Sequence, residues 1–204
     1  MREKNFQPYL NVALISCLLL SGGLIADESI IKKPAVAVFA GGCFWCMESP
    51  FDALPGVIET TSGYIGGHTE NPTYKEVSNG KTGHLEAMQV TYDPAKVSYA
   101  ELLEVFWHNI DPFDDDGQFC DKGDQYKAAI FYQDETQKQL AETSKTEITK
   151  KLSNQHIATT IKPASKFFPA EDYHQDYYLK NPTAYKFYRF TCGRDNRLSQ
   201  IWNE

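Results

Sequence analysis

The segment from Gly41 to Cys46 reads GGCFWC and places a cysteine between two glycines and two aromatic residues. It follows a continuous apolar run, Ala35 to Phe39, which is typical of a buried strand, and it leads into a pattern that fits a helix, Phe44 to Leu54. A cysteine at a helix start meets free backbone N–H groups and the positive end of the helix dipole, which favour the thiolate. We therefore predict a nucleophilic Cys43, with two aromatic side chains that can enclose a small apolar group.

The CxxC spacing of Cys43 and Cys46 also occurs in zinc sites and in thioredoxin-like disulfide oxidoreductases. A zinc site needs a second pair of ligands at short spacing, whereas Cys120 and Cys192 stand alone and no two histidines have the spacing of a zinc pair. We therefore expect no metal. Two alternatives stay open, a thioredoxin-like oxidoreductase and an exported module with two static disulfides.

A carboxylate, Glu86, lies in a pattern that predicts a strand from Leu85 to Tyr92. Strand alternation places it on one face with His84, Met88, Val90 and Tyr92. A largely apolar face disfavours the charged carboxylate, raises its pKa and suits the group to proton donation. From periodicity alone, a glutamate paired with Lys or Arg at a strand edge explains the pattern equally well.

The other elements alternate between strands and helices. The further strands are predicted at Val57–Tyr64, Lys127–Tyr132 and Thr159–Ile161, and the helices at Asn71–Val77 (Asn71 as N-cap, Pro72 first), from Ser98 to about Trp107, and from Glu135 to about Leu152. Pro50 predicts that the first helix begins late or is irregular. We expect an Asp- and Gly-rich loop over Asp111–Tyr126, and after Ala164 an irregular, aromatic-rich chain with one short helix near Glu171–Tyr178. This alternation predicts an α+β fold of two layers.

The composition is that of one globular domain. The 204 residues carry a net charge of −7 and no dense stripe of Lys and Arg. Because nucleic-acid binding requires a basic surface that neutralises phosphates, we exclude a nucleic-acid partner.

The first 26 residues have the pattern of a secretory signal peptide. Arg2 and Lys4 precede an apolar stretch, Val12 to Ala26, that is too short to span a bilayer. We predict a signal peptide over 1–26, a linker over 27–34 and a single domain over 35–204, and hence an exported, periplasmic protein. A lipobox-like LISC sequence ending at Cys17 is the less favoured alternative, which would leave a lipoprotein.

A series of short motifs, in order from Val36 to Pro182, resembles the A-type peptide methionine sulfoxide reductases. The motifs are GCFW at 42–45, GYIGG at 63–67, NPTY at 71–74 with Val77, GKTGHLE at 80–86, YDP at 92–94, FW at 106–107, DP at 111–112, GDQY at 123–126 and KNP at 180–182. One such motif arises by chance easily, but the whole ordered series does not.

The resemblance implies a role for each matching residue. Cys43 matches the nucleophile that attacks the sulfoxide sulfur, and Glu86 matches the acid that protonates the departing oxygen. Phe44 and Trp45 match the pocket for the substrate's methyl group, Tyr74 and Tyr126 the phenols that hydrogen-bond the oxygen, and Asp121 a supporting carboxylate.

The resemblance further implies a fold and a reaction. The fold is a two-layer α/β sandwich with a ferredoxin-like core, much irregular coil and a C-terminal tail. The reaction reduces methionine-(S)-sulfoxide, free or in oxidised proteins, and leaves a sulfenic acid that a second cysteine converts to a disulfide. A thioredoxin-like dithiol then reduces that disulfide, without a bound cofactor. We expect a monomer.

The cysteine that resolves the sulfenic acid is where this chain departs from the family. Many relatives have a small residue at the position of Cys46 and use cysteines in a Gly-rich tail, whereas this tail is aromatic and charged with one cysteine, Cys192. Cys46, one helical turn from Cys43, and Cys192, on a mobile tail, are both candidates, with Cys192 slightly favoured. Cys120 comes third, because an isolated cysteine is commonly a small buried hydrophobe.

Overall fold

The structure is a computed structural model that describes residues 33–202. The predicted signal peptide over 1–26, the alternative lipid site at Cys17 and most of the linker over 27–34 lie outside these residues. Within residues 33–202, no helix has both the length and the apolar character needed to cross a membrane.

Eight strands and seven α-helices make up the described chain. The strands are β1 (Ala35–Ala40), β2 (Val57–Ile65), β3 (Leu85–Tyr92), β4 (Gly117–Gln118), β5 (Asp121–Lys122), β6 (Ala129–Tyr132), β7 (Thr160–Pro163) and β8 (Phe168–Pro169). The helices are α1 (Phe44–Asp52), α2 (Tyr74–Ser78), α3 (Tyr99–His108), α4 (Glu135–Lys151), α5 (Tyr177–Lys180), α6 (Pro182–Thr191) and α7 (Arg194–Trp202), with a 3-10 helix at Asp124–Tyr126.

Six strands form one sheet in the order β7-β6-β1-β3-β2-β8, and β4 pairs with β5 in a separate ribbon. Neighbours in the sheet are antiparallel except β6 and β7. The units β1-α1-β2 and β3-α3-β6 interleave so that the four central strands run β6-β1-β3-β2, which is the ferredoxin-like arrangement. The predicted α+β sandwich with a ferredoxin-like core is confirmed.

The helix layer covers one face of the sheet. Phe39 of β1 stacks on Phe51 of α1 and on Phe106 of α3, with ring centroids 5.3 and 5.2 Å apart. Burying each such side chain stabilises the fold by about 2 kcal/mol. Alternation along β3 points Met88 and Val90 at this layer, and Glu86 points the same way. The acid is thereby aimed at the start of α1.

The first helix begins at Phe44, as the pattern predicted, so the expectation of a late start is wrong. Pro50 lies inside the helix and has no N–H to donate to the carbonyl of Cys46. Nη1 of Arg189, in α6, donates to that carbonyl instead at 3.5 Å. Helix α6 therefore supplies the hydrogen-bond donor that Pro50 cannot provide in α1.

Three other sequence expectations are wrong. The N-cap of α2 is Thr73, whose side chain forms a capping box with Glu76, so the helix starts two residues after Pro72. The loop over 111–126 contains the β4–β5 ribbon and the 3-10 helix. The chain after 164 ends in two regular helices, α6 and α7. Helix α7 buries Leu198, Ile201 and Trp202 against the rest of the domain, whereas α6 has no buried residue and is attached through polar contacts of Tyr188 and Arg189.

Candidate active site

A small cavity of about 70 Å³ opens where the end of β1, the start of α1 and the start of β3 meet. It is lined by Cys43, Phe44, Trp45, Tyr74, Glu86, Asp121, Tyr126 and Tyr188. The first seven are the catalytic and substrate-binding residues named from the sequence, and the structure brings all of them together. A cavity of this size admits the end of a side chain and not a whole peptide.

Cys43 is the N-cap of α1 and follows the turn at Gly42. Gly42 has φ +83°, a conformation that side chains rarely adopt, and a Cβ there would lie 2.6 Å from Cβ of Gln118. The glycine thus permits both the sharp turn out of β1 and the close approach of the neighbouring loop. The sulfur is directed into the cavity as a result.

Cys43 is only 7% exposed, and this changes its ionisation. Burial raises the pKa of Cys43 well above its ordinary value, and its hydrogen bond with Cys46 and the charge of Glu86 raise it further. The free N–H of Phe44, which was expected to favour the thiolate, donates to Glu86 instead. The prediction of a helix-stabilised thiolate is therefore wrong for the resting state.

Cys46 carries the opposite shift. Its hydrogen bond with Cys43 and the positive charge of Arg194 together lower the pKa of Cys46 to about 7, although burial opposes the shift. The two thiols titrate as a pair, so the first proton comes off at the Cys46 end and the second is held at Cys43. Both residues carry free thiols.

Glu86 is 2% exposed and lies on β3, an interior strand of the sheet. Burial raises the pKa of Glu86 to about 8, although the hydrogen bond from the Phe44 N–H at 3.2 Å opposes the shift. No Lys or Arg pairs with it among the described residues. The strand-edge alternative is thus excluded, and the group is a neutral acid at pH 7.

The two predicted phenols are also held in their neutral form. Burial raises the pKa of Tyr74 to about 12 and raises that of Tyr126, and the nearby Glu86 adds to both shifts. The backbone N–H of Tyr74 donates to Glu171, which fixes the start of α2. Both hydroxyls are therefore available as donors to an oxygen atom in the cavity.

Asp121 and Tyr188 close the cavity on the side of α6. The hydroxyl of Tyr188 donates to Oδ2 of Asp121 and also hydrogen-bonds to Cys43. Burial raises the pKa of Asp121. Tyr188 was not predicted as a site residue from the sequence. It lies four residues before Cys192, which places the two residues on one face of a helix, but this spacing is informative only when a helix is known to be present.

Cys120 and Cys192 are joined in a disulfide, although 72 residues separate them. Cys120 is exposed, so its interpretation as a buried small hydrophobe is wrong, and the two cysteines are not isolated from one another. Sγ of Cys192 lies 3.9 Å from Oδ2 of Asp121, beside the cavity.

The tail that carries Cys192 is docked, not free to swing as expected. Arg194, which the sequence reading also missed, is 1% exposed and donates to the carbonyl of Gly41 at 3.1 Å. Cys120, Asp121 and Cys192 are the one cluster of potential metal ligands in residues 33–202. Two of its three ligand atoms are bonded to each other, so this cluster does not offer a metal site.

The aromatic wall consists of Phe44, which is buried, and Trp45, which is half-buried. Tyr177 stacks on the indole of Trp45 with ring centroids 3.7 Å apart. Nε1 of Trp45 donates to Nδ1 of His174 at 3.0 Å. The site thus combines a thiol, a neutral carboxylic acid, two phenols and an apolar wall around one cavity. These groups can attack a small polar electrophile and protonate its leaving oxygen.

Comparisons with known proteins agree on one family. The family model described as peptide methionine sulfoxide reductase matches residues 35–204. The peptide methionine sulfoxide reductase MsrA of Bacillus licheniformis is 51% identical over 172 residues, which cover 84% of this chain and 95% of that protein.

Two solved structures extend the comparison. Mxr1 from Saccharomyces cerevisiae in reduced form is similar with a TM-score of 0.69 and 33% identity, over 76% of this chain and 92% of that one. The same yeast protein in complex with Trx2 gives a TM-score of 0.50 and 25% identity, over 73% and 91%.

Proposed function

Since the chain belongs to the peptide methionine sulfoxide reductase family, we propose that Cys43 is its nucleophile and Glu86 its acid in the reduction of methionine-(S)-sulfoxide to methionine. The observation that carries this assignment is the cavity itself, which a thiol and a neutral carboxylic acid share. Sulfoxide oxygen leaves poorly until it is protonated, so the nucleophile and the acid must face the same S–O bond.

The protons of the first step can be followed through the site. Glu86 gives its proton to the sulfoxide oxygen, and Cys43 gives its thiol proton to the thiolate of Cys46, to which it is hydrogen-bonded. The sulfur of Cys43 attacks the substrate sulfur, and the protonated oxygen passes to Cys43. The products are methionine, a sulfenic acid on Cys43, a thiol on Cys46 and a carboxylate on Glu86.

The neighbouring side chains support this step. Tyr74 and Tyr126 donate hydrogen bonds to the substrate oxygen, while Asp121 accepts from Tyr188 and so holds its hydroxyl near Cys43. Phe44 and Trp45 contact the methyl group. The cofactor-free reaction then needs only a dithiol as its source of electrons.

We propose that Cys46 resolves the sulfenic acid, because it is hydrogen-bonded to Cys43 whereas Cys192 is already bonded to Cys120. The Cys46 thiol displaces the hydroxyl, a Cys43–Cys46 disulfide forms and water leaves. When Cys120 and Cys192 are reduced, Cys192 attacks this disulfide and Cys120 completes the exchange. The described structure, with Cys43 and Cys46 free and the other pair oxidised, has the redox pattern that such an exchange leaves behind.

A thioredoxin-like dithiol reduces the Cys120–Cys192 disulfide and so recycles the enzyme. The yeast relative was solved in complex with Trx2, which supports a partner of that kind here. The burial of Cys43 and Cys46 disfavours the alternative of a thioredoxin-like oxidoreductase, since a disulfide of another protein molecule cannot reach either sulfur.

The test is a single turnover of the fully reduced protein without reductant. Methionine release from the S epimer, with none from the R epimer, is the expected result.

Mass spectrometry of the single Cys46→Ser, Cys120→Ser and Cys192→Ser variants then identifies the resolving cysteine, because the sulfenic acid should persist in the Cys46→Ser variant alone. Its persistence only in the Cys192→Ser variant would transfer the role to that residue.

We also propose, on the sequence of residues 1–26, that the protein is exported to the periplasm and works there as a monomer. N-terminal sequencing of the mature protein tests cleavage near Ala26, and a lipid on Cys17 would contradict it. Light scattering tests the monomer.

A further inference from the structure

Trp45 is held on two sides by the segment from His174 to Tyr177. The indole N–H donates to Nδ1 of His174 at 3.0 Å, and the Tyr177 ring lies over the indole face with 7° between the planes. An indole nitrogen can only donate, so Nδ1 must be the acceptor. The indole is therefore fixed both at its edge and over its face.

His174 is itself 1% exposed and does not line the cavity. Its ring packs behind the cavity wall, with centroids 5.0 Å from Phe44 and 4.4 Å from Tyr74. Burial lowers the pKa of His174, which keeps the ring neutral. Because Nδ1 accepts, the proton of the neutral ring sits on Nε2.

Nε2 of His174 has no hydrogen-bond partner among the described residues. A buried donor without a partner is unfavourable and uncommon in folded proteins. A position that needed only a flat apolar ring would be filled better by phenylalanine. What histidine adds here is the acceptor at Nδ1, and within residues 33–202 the indole of Trp45 is the group that donates to it.

We propose that His174 is a positioning residue that holds Trp45 in place and thereby sets which alkyl group on the sulfoxide sulfur the site accepts. This inference rests on the proposed function. A pocket discriminates against one extra methylene by about 10- to 200-fold, and only when its wall cannot move aside. With its edge bonded and its face covered, the indole of Trp45 is such a wall.

The experiment compares methionine sulfoxide with its S-ethyl homologue, ethionine sulfoxide. The His174→Phe variant keeps the ring and loses the acceptor, whereas His174→Asn keeps an acceptor oxygen close to the position of Nδ1. We expect His174→Phe to lower the ratio of kcat/KM values, methyl over ethyl, by about tenfold, chiefly through a higher KM for the methyl substrate. His174→Asn should keep the ratio within about threefold of the wild type.

The alkylation rate of Cys43 by iodoacetamide is the control, because His174 makes no contact with the sulfur and this rate should not change. Tyr177→Leu provides a second variant, should His174→Phe fail to fold, and removes the contact over the indole face with the same expected loss of discrimination. An unchanged ratio in these variants, or an equal loss in His174→Asn, overturns the proposal. A wild-type protein that reduces neither sulfoxide would refute the proposed function instead.

Discussion

Cys43 and Cys46 are 7% and 1% exposed and carry free thiols, whereas Cys120 is exposed and bonded to Cys192. The first pair lies at the start of a helix in the domain core, beside a carboxylic acid that burial keeps protonated. The second pair joins a surface loop to the end of α6. A sulfoxide at the end of a side chain fits the enclosed pair, but a reductant that is itself a protein can reach only the open one. Chemistry and electron supply are thus divided between two regions.

Both regions are connected by the side chains around Asp121. Tyr188 hydrogen-bonds to Asp121 and to Cys43, and Cys192 lies one turn beyond it on α6. The sulfur of Cys192 is 3.9 Å from the same carboxylate. The Cys120–Cys192 pair therefore lies directly behind the wall of the cavity. This position allows it to exchange with a disulfide that forms between Cys43 and Cys46.

The largest expected effects come from replacing one cysteine of each pair, which tests whether methionine formation and reduction by thioredoxin depend on different cysteines. Cys43→Ser should abolish methionine formation, because a hydroxyl is a far weaker nucleophile than a thiol at neutral pH. Cys192→Ser should release the first methionine at the wild-type rate and then lose thioredoxin-driven turnover. Single-turnover and steady-state assays on both variants measure this. Equal losses of the first turnover would show that the two regions do not have separate roles.

The second prediction concerns the acid in the buried region. Glu86→Gln should slow sulfenic acid formation by about 100-fold or more, since the neutral amide cannot give up a proton. The pKa of Glu86 is raised to about 8, so the wild-type group is protonated below that pH and loses its proton as the pH rises through it. The ratio of wild-type to variant rates should therefore be largest below pH 8 and shrink above it. A constant ratio from pH 6 to pH 10 would contradict the role of Glu86 as the acid.

Much of this buried region could be predicted from the sequence, for a physical reason. Cys43 and Glu86 lie at the start of a helix and on a strand with clear periodicity, and the β1-α1 and β3 elements formed as their patterns indicated. A Glu86 paired with Lys or Arg at a strand edge could not be excluded from the sequence, because periodicity indicates the face of a strand on which a residue lies but not whether the strand is at the edge of the sheet.

The C-terminal region could not be predicted in the same way. Tyr188 and Arg194 lie on the helices α6 and α7. Packing against α1 and the loop before it determines which aromatic and charged residues of these helices face the site, and the sequence pattern alone does not indicate this. The pairing of Cys120 with Cys192 depends on a contact between segments 72 residues apart, which no local pattern encodes. Likewise, burial and the neighbouring Cys46 raise the pKa of Cys43, and neither effect can be predicted from the local sequence.

A third prediction tests whether the two pairs act in series. Without external reductant, the fully reduced wild type should release about two methionines per chain, because each pair can store one disulfide. The double variant Cys120→Ser/Cys192→Ser should release about one, with the disulfide trapped between Cys43 and Cys46. Methionine is quantified by chromatography after excess sulfoxide. A wild-type yield of one would mean that the surface pair does not exchange with the buried pair.

The smallest expected effect on the rate of the first turnover falls on Tyr188, the residue that contacts both regions. Tyr188→Phe removes one hydroxyl, so that Asp121 loses a donor and Cys43 loses its contact with the phenol. We expect the rate of sulfenic acid formation to fall by about threefold to tenfold, which corresponds to roughly 1 kcal/mol for one hydrogen bond. Rapid-quench measurement of the first methionine gives this rate, and Tyr185→Phe, on the same helix but outside the cavity lining, is the matched control. Because Tyr188 also ties α6 to Asp121, the transfer of oxidation to Cys120 and Cys192 should slow in the same variant. If methionine release slows while that transfer does not, Tyr188 belongs to the buried region alone, and the two pairs communicate through another contact.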